Sequence, residues 1–371
     1  MDSSDITTLE ELKSYLYSAM QLEHATLPPY LVALYSIKPG TNLDATQIIR
    51  VVAVEEMLHL TFAANLLNAI GGEPDLTVPG FVPNFPTYLP DGEQEFLVHL
   101  APFSRQTIEN FLQIERPSLA PSGVNKLVAR REHGPFLHLG THPRQTTMRY
   151  YSIGDFYKAI EDGLVYLEGE AQKQGKTIFT GDAGRQITSQ YYYSGGGHLH
   201  PVTDLATAVT AIRLVIEQGE GQTATIYDSQ KELAHYYRFD QLIHGRYYRS
   251  GDAIEHPTGE PVSVDWDAAY PVKTDVKLAD IPAGSELHQA AAAFNQAYAR
   301  FLAEITEAYN GKPHKLMEAV AHMFEFRNAM TVLIRNPLPG SNGLYAGPTF
   351  EVSPEAAGAP QAGAESLEVV A

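Results

Sequence analysis

The stretch from Ile48 to Ile70 has the length and apolar composition of a buried helix, yet it contains acidic and imidazole side chains. At about 100° per residue, Glu56 and His59 fall on the same helical face as apolar residues such as Val52 and Leu67. An ionised carboxylate on such a face costs several kcal/mol unless a positive charge compensates it. Glu-x-x-His on an inward face is a feature of helix bundles that bind two metal ions through carboxylates. The stretch therefore predicts a helix bundle with a metal site in its interior.

The same combination of residues occurs in two predicted helical hairpins. In each hairpin, a lone acid on an apolar helix is followed, on the next helix, by Glu-x-x-His. The candidate metal ligands are Glu23, Glu56 and His59 from the first hairpin, and Glu217, Glu232 and His235 from the second. Four carboxylates would balance the charge of two divalent ions, and two imidazoles would bind as neutral ligands. The six residues together predict a dinuclear metal site.

One alternative explanation and one difficulty accompany this hypothesis. A structural hydrogen bond between a buried glutamate and a buried histidine would explain either motif alone. In addition, Glu217 lies at the end of its predicted helix and Glu232 near the start of the next, whereas Glu23 and Glu56 lie deeper in theirs. The two hairpins must therefore be offset for the six groups to meet.

Three further residues are candidates for supporting roles around the metal ions. Glu55 is predicted to lie behind the ligands or to replace one of them. Tyr30 and Tyr236 fall on the presumed metal face, where a hydrogen-bonding or a redox role is open to them.

The remaining histidines are weaker candidates. His198 and His200 have the spacing of two imidazoles on one face of a strand, but they follow a run of three glycines that is more typical of a loop. Three others lie in a polar loop, where we expect them to be solvated or to line a pocket: His133, His138 and His142.

Charge and composition exclude several classes of protein. The formal net charge of −18 argues against a nucleic-acid partner, which requires a basic surface. No apolar run is long enough and free enough of charge to span a membrane, and the first residues lack the apolar core of a signal peptide. The chain has no cysteine, so His, Asp and Glu are its strong metal ligands. We expect a cytoplasmic protein.

Helical segments alternate with long stretches that are rich in proline, glycine and aromatic residues. The helical pattern predicts one domain over 1–352, with inserted loops at 71–150, 176–200 and 250–283 and two extra helices near 284–309 and 313–335. Asp44 and Asp228 or Ser229 are predicted helix caps, Ser104 is predicted to start a short helix, and 96–100 a short strand or extended segment. The loops carry bulky side chains such as Phe81 and Tyr192, which predict that they wall a cavity for an aromatic ligand. Residues 353–371 have the composition of a disordered tail.

Several segments resemble those of a known family. The segments are QLEHATLPPYLVALYSI, VEEMLHLTFAANLLNAIGG, FPTYLP, LAPFSRQTIENFLQIERP, IEQGEG and ELAHYYRF. They are similar to the ferritin-like proteins grouped with iminophenyl-pyruvate dimer synthase, over about residues 8 to 350. The resemblance implies an all-α fold, a ferritin-like four-helix bundle with long loop insertions and extra C-terminal helices. It also places helix acids and histidines at the six candidate positions.

The resemblance also implies a function. The family takes its name from indole-pigment biosynthesis, where an imine of an aromatic 2-oxo acid is oxidatively dimerised. We therefore expect a dimetal, O₂-dependent oxidoreductase acting on a small aromatic or amino-acid-derived molecule, with two iron ions or, alternatively, manganese. A ferritin-type metal-storage or oxidative-stress protein and a non-catalytic scaffold are the alternatives, and the assembly state stays open, a homo-oligomer included.

Overall fold

The computed structural model describes residues 6–91, 94–118, 150–192, 195–222 and 225–352. These ranges contain eight α-helices and two short 3₁₀ helices, Ala183–Arg185 and Leu278–Asp280. The α-helices are α1 (Leu9–Ser36), α2 (Leu43–Ala69), α3 (Arg105–Ile114), α4 (Ile153–Gln172), α5 (Leu205–Glu220), α6 (His235–His244), α7 (Glu286–Tyr309) and α8 (Lys315–Ile334). Within the described ranges there is no β-sheet, and the segment predicted as a strand, 96–100, forms a single bridge between Thr87 and Val98.

The core of the fold is a four-helix bundle made of two hairpins. Helix α1 pairs with α2, and α4 pairs with α5, while α1 also contacts α4 and α2 contacts α5. Helices α1 and α2 are apolar around most of their circumference, which is the pattern of helices that are enclosed on several sides. The all-helical bundle confirms the predicted fold class.

The remaining helices cover the outside of this bundle. Helix α3 packs against α6, and α6 also contacts α2 and α5. Helices α7 and α8 form a third hairpin, in which α7 contacts α2 and α8 contacts α1. Two hydrogen bonds attach α7 to the bundle. One joins His24 Nε2 and Tyr298 Oη at 2.6 Å, and in the other Asn68 Nδ2 donates to the Tyr309 carbonyl at 2.7 Å. No helix within the described ranges has the combined length and hydropathy that crossing a membrane requires.

Two predicted helix caps are wrong. Helix α2 begins at Leu43, so Asp44 lies in its first turn, and the cap residue is Asn42 in the left-handed region at φ 46°. Asparagine tolerates this conformation, and the Asn42 side chain bonds the backbone of Asp265 at 2.8 Å in both directions. Asp228 does not cap α6, because its carboxylate accepts backbone N–H groups of a tight turn, from Gln230 at 2.9 Å and Glu232 at 2.8 Å.

In the described parts of the inserted loops, large aromatic side chains pack against the core. Phe81 and Phe85 are 1% and 2% exposed, and Phe81 lies against His24 with ring centroids 4.9 Å apart. Tyr192 is partly buried against the same core, whereas Tyr88 is exposed. The predicted disordered tail, 353–371, lies outside the described residues.

Candidate metal centre

Five side chains from four helices converge inside the bundle. Glu23 comes from α1, Glu56 and His59 from α2, Glu115 from the residue that ends α3, and His235 from the first position of α6. All five are at most 4% exposed. Three carboxylates and two imidazoles therefore share a space that bulk water does not reach.

The five residues form two groups that have Glu56 in common. Glu23, Glu56 and His59 make one group, and Glu56, Glu115 and His235 make the other, with the donor atoms of each group within 4.8 Å of one another. In the first group, His59 Nδ1 lies 3.5 Å from Glu23 Oε2 and 3.8 Å from Glu56 Oε1. In the second, His235 Nδ1 lies 2.9 Å from Glu56 Oε1 and 3.4 Å from Glu115 Oε2. The arrangement is that of two adjacent cation positions joined by one shared carboxylate.

Each imidazole is fixed by a hydrogen bond at the nitrogen that faces away from the cluster. His59 Nε2 lies 2.8 Å from Gln218 Oε1, and His235 Nε2 lies 2.8 Å from Glu55 Oε2. The Gln218 amide nitrogen donates to the Gly196 carbonyl, so its oxygen is the atom that accepts from His59. A carboxylate can only accept, so His235 also carries its proton on Nε2. In the neutral imidazoles, both Nδ1 lone pairs therefore point into the cluster, as second partners usually arrange for metal-binding histidines.

The three carboxylates are fixed in the same way. Tyr157 Oη donates to Glu23 Oε1 at 2.5 Å, and Thr26 Oγ1 donates to Glu56 Oε2 at 3.1 Å. Tyr30 Oη donates to Glu115 Oε1. The outer oxygen of each carboxylate is thereby held, and the other oxygen is left for the centre of the cluster.

Burial and crowded charge shift the proton affinities of these groups. Burial, with the charges of Glu115 and Glu23, raises the pKa of Glu56 from 4.5 to about 8. Burial also favours the neutral form of Glu23, but the hydrogen bond and charge of His59 outweigh it, and the pKa of Glu23 is lowered. Burial opposes a charge on the imidazoles as well. The neighbouring carboxylates outweigh it, and the pKa values of both His59 and His235 are raised. The cluster thus attracts positive charge, as protons or as cations.

The donor set fits transition-metal ions. Glu23 Oε2 and His235 Nδ1 are buried atoms without a hydrogen-bond partner, and both face the interior of the cluster. Buried polar atoms are rarely left in this state unless an ion or water completes them. Carboxylate oxygens with imidazole nitrogens, and no thiolate, suit iron and manganese.

Two of the six ligands predicted from the sequence are not brought to this cluster. Glu217 lies half-buried on α5 and accepts a hydrogen bond from the Ser229 backbone at 3.0 Å. Glu232 precedes α6, its side chain is 65% exposed, and it lies 3.4 Å from Arg238. The physical reason is that α5 pairs with α4 rather than with α6, and that the turn at Asp228 keeps Glu232 out of a helix. The structure brings together the other four: Glu23, Glu56, His59 and His235.

Of the three predicted supporting residues, two lie beside the cluster and one does not. Tyr30 and Glu55 lie directly behind the cluster, at Glu115 and His235 respectively. Tyr236 does not, because it packs against Tyr237 in a separate apolar cluster around Ile226.

The weaker histidine candidates lie elsewhere. His198 is exposed, and His200 Nε2 lies 3.0 Å from the Thr207 carbonyl oxygen. The loop with His133, His138 and His142 lies outside the described residues.

Glu115 is the main residue that the sequence interpretation missed. It ends the short helix α3, seven residues after Ile108 and four after Phe111, and so continues the buried stripe of that helix. This is the criterion that singled out Glu23, and it was not applied to a helix of ten residues. Tyr157 and Gln218 were missed too, because a neutral polar residue on a buried face gives no comparable signal.

A narrow cleft leads to the cluster from one side. Four of the five cluster residues line it, with His235 as the exception. Its other walls come from the first turn of α4, the last turns of α5 and the residue after Glu115: Ile153, Gly154, Val215, Ile216, Gly219, Glu220 and Arg116. The cleft thus reaches the cluster between the start of α4, the end of α5 and the end of α3.

Comparisons with known proteins agree with this architecture. A model of the family described as Ferritin-like matches residues 16–244, more than half of the chain and the range that contains the whole cluster. Dichlorochromopyrrolate synthase from Lentzea aerocolonigenes is 27% identical over 340 residues, which cover 84% of this chain and 30% of that protein. The chain therefore spans less than a third of that relative's length.

A solved structure shows the same fold. The crystal structure of a ferritin like protein from Caulobacter vibrioides matches with a TM-score of 0.58 at 22% identity, covering 88% of this chain and 95% of that one. The family match and the helix bundle confirm the resemblance found in the sequence. The chain belongs to the ferritin-like family.

Proposed function

We propose that this protein is a dimetal oxidoreductase that uses O₂ to oxidise a small aromatic or amino-acid-derived molecule. The observation that carries the proposal is the pair of donor groups that share Glu56. Each group supplies two carboxylates and one imidazole, all buried. A structural Glu–His hydrogen bond would need one such pair, not two groups whose donor atoms converge.

The metal ions we propose are two ions of iron, with manganese as the alternative. When bound, two such ions would supply the electron-transfer chemistry that O₂ reduction requires and that amino-acid side chains alone do not provide. Glu23, Glu56, His59, Glu115 and His235 would hold them. Glu55 adds a fourth carboxylate behind His235 at 2.8 Å, and its other oxygen lies 3.7 Å from the Arg238 guanidinium.

The protein residues orient and shield this centre. Tyr157, Thr26 and Tyr30 each hold one carboxylate oxygen and direct the other inward. Gln218 and Glu55 keep the imidazole protons on the outer nitrogens. Because all these contacts are buried, they fix the donor atoms before any ligand arrives, and they leave the cleft as the route for a small molecule.

The relative from Lentzea aerocolonigenes supports an enzymatic role over storage. Its name describes a synthase, and the aligned region covers 84% of this chain. The cleft beside the cluster is narrow. A compact metabolite is therefore the class of substrate that we propose.

Anaerobic reconstitution with Fe²⁺, followed by stopped-flow mixing with O₂, tests the proposal. We expect two metal ions per chain, and faster oxidation when the right compound from a panel of aromatic amino acids and their 2-oxo acids is present. Glu56→Ala should abolish both results, whereas Glu232→Gln, at an exposed acid outside the cluster, should change neither. If no compound alters the rate, and added Fe²⁺ is oxidised and mineralised in excess, a storage function replaces this one.

A further inference from the structure

Gly219 is a glycine that lines the cleft beside the cluster. It lies in the last turn of α5 and lines the cleft. A Cβ atom added there would have one neighbour within 4 Å, Glu115 Oε2 at 3.9 Å. That oxygen is the inner atom of Glu115, 3.4 Å from His235 Nδ1. The missing side chain therefore leaves space directly over one half of the cluster.

Neither backbone conformation nor crowding requires glycine at this position. Gly219 is helical and is not among the glycines with positive φ, and a contact at 3.9 Å is an ordinary one. Two neighbouring glycines differ in this respect. Gly221 has φ 83°, and a Cβ on Gly154 would lie 2.3 Å from Glu220 Oε1. Glycine in a helix costs up to about 1 kcal/mol relative to alanine, so its presence at 219 is unfavourable for the helix itself.

We propose that Gly219, which lies beside Glu115 in the cleft, sets the size of the ligand that reaches the metal centre. The inference rests on the proposed function, since it requires metal in the cluster.

Binding of small anions to the cobalt-loaded protein tests this without measuring activity. Co²⁺ would occupy the cluster, and its visible absorption would report azide and the larger benzoate as they bind. The variants are Gly219→Ala and Gly219→Leu, both good helix formers. The matched control is Gly169→Leu, in the last turn of α4, where an added Cβ meets nothing within 4 Å.

We expect all variants to bind two Co²⁺ ions, and Gly219→Leu to weaken azide binding at least about tenfold. Gly219→Ala should weaken benzoate far more than azide, and Gly169→Leu should weaken neither. If Gly219→Leu no longer binds cobalt, the anion affinities of Gly219→Ala test the inference instead. The methyl group of that variant makes only the contact at 3.9 Å with Glu115 Oε2.

Two results would overturn the inference. One is azide and benzoate affinities in the Gly219 variants within about twofold of the original protein, a difference below 0.5 kcal/mol. The other is a cobalt-loaded original protein that binds neither anion. An original protein that takes up no cobalt would instead refute the proposed function, so the two failures are distinguishable.

Discussion

Glu56 Oε1 lies 2.9 Å from His235 Nδ1, the ring nitrogen opposite the one that Glu55 holds. The same oxygen lies 3.8 Å from His59 Nδ1. Glu56 is therefore the residue through which the two halves of the cluster are connected. Its own outer oxygen is held by Thr26, so it cannot turn away without losing that hydrogen bond.

We predict that the number of metal ions bound per chain depends on which glutamate is replaced, because Glu56 belongs to both donor groups. Glu56→Ala should remove both ions, because both groups lose a donor. Glu23→Ala and Glu115→Ala should each remove about one ion, since each belongs to one group only. Elemental analysis after reconstitution, with circular dichroism to verify folding, measures this.

The controls for this experiment are the two acids that lie outside the cluster. Glu217→Gln and Glu232→Gln should retain both ions, although the sequence pattern had placed them among the ligands. A loss of metal in these variants but not in Glu115→Ala would show that the cluster described above is not the binding site.

The stability of the metal-free protein should fall as pH rises from about 5 to about 8. Because the pKa of Glu56 is raised from 4.5 to about 8, the folded chain binds a proton there that the unfolded chain releases. The raised pKa values of His59 and His235 act in the same direction, and the lowered pKa of Glu23 matters only below its ordinary value. The free energy involved is on the order of a few kcal/mol.

Metal ions should reverse this trend, because they bind deprotonated carboxylates and neutral imidazoles. The difference in melting temperature between loaded and metal-free protein should therefore widen with rising pH. Thermal melts of both forms across this interval measure it, and metal-free Glu56→Gln should show a flatter dependence. Equal melting of the two forms near pH 8 would argue against a buried dinuclear site.

The residues behind the histidines should control metal affinity. Gln218→Leu removes the acceptor for His59 Nε2, and Glu55→Gln removes the charge beside His235. Losing such a partner typically costs about 10- to 100-fold in metal affinity. Competition with a chelator measures the change. Gln172→Leu, at an exposed glutamine of α4 whose amide donates to Glu168, is the control and should leave the affinity unaltered.

The local parts of the fold could be predicted from sequence because local signals determine them. The two extra helices, predicted near 284–309 and 313–335, are Glu286–Tyr309 and Lys315–Ile334, and Ser104 caps α3 as expected. Glu23, Glu56 and His59 were found because each interrupts an apolar stripe on a long helix. These patterns depend only on residues within a few turns of one another.

The errors come from packing between distant segments. Gln218 rather than Glu217 faces His59, because the pairing of α5 with α4 sets the rotation of α5. Glu115 reaches the cluster because α3 packs on α6, about 120 residues further along the chain. The periodicity of α3 places Glu115 on a buried face, but it does not identify the helix that this face meets. A tight turn likewise replaced the helical start predicted around Asp228, through side-chain hydrogen bonds that compete with a helix.

The junction between α4 and α5 depends on one buried carboxylate. Glu220, at the end of α5, accepts backbone N–H groups of Gly154 and Ser118, both at 2.9 Å, and thereby joins the start of α4 to the segment after α3. Gly154 and Glu220 both line the cleft, so the hydrogen bonds of Glu220 help to fix the shape of the cleft.

Gly154→Ala should therefore destabilise the protein, by about 1–3 kcal/mol, because the added methyl would lie 2.3 Å from Glu220 Oε1 and displace the carboxylate. Gly169→Ala, in the same helix with nothing within 4 Å of the added atom, should instead stabilise it by up to about 1 kcal/mol. Urea denaturation of the two variants measures both. Equal stabilisation by the two substitutions would mean that Glu220 moves aside at no cost, and that its hydrogen bonds do not fix the shape of the cleft.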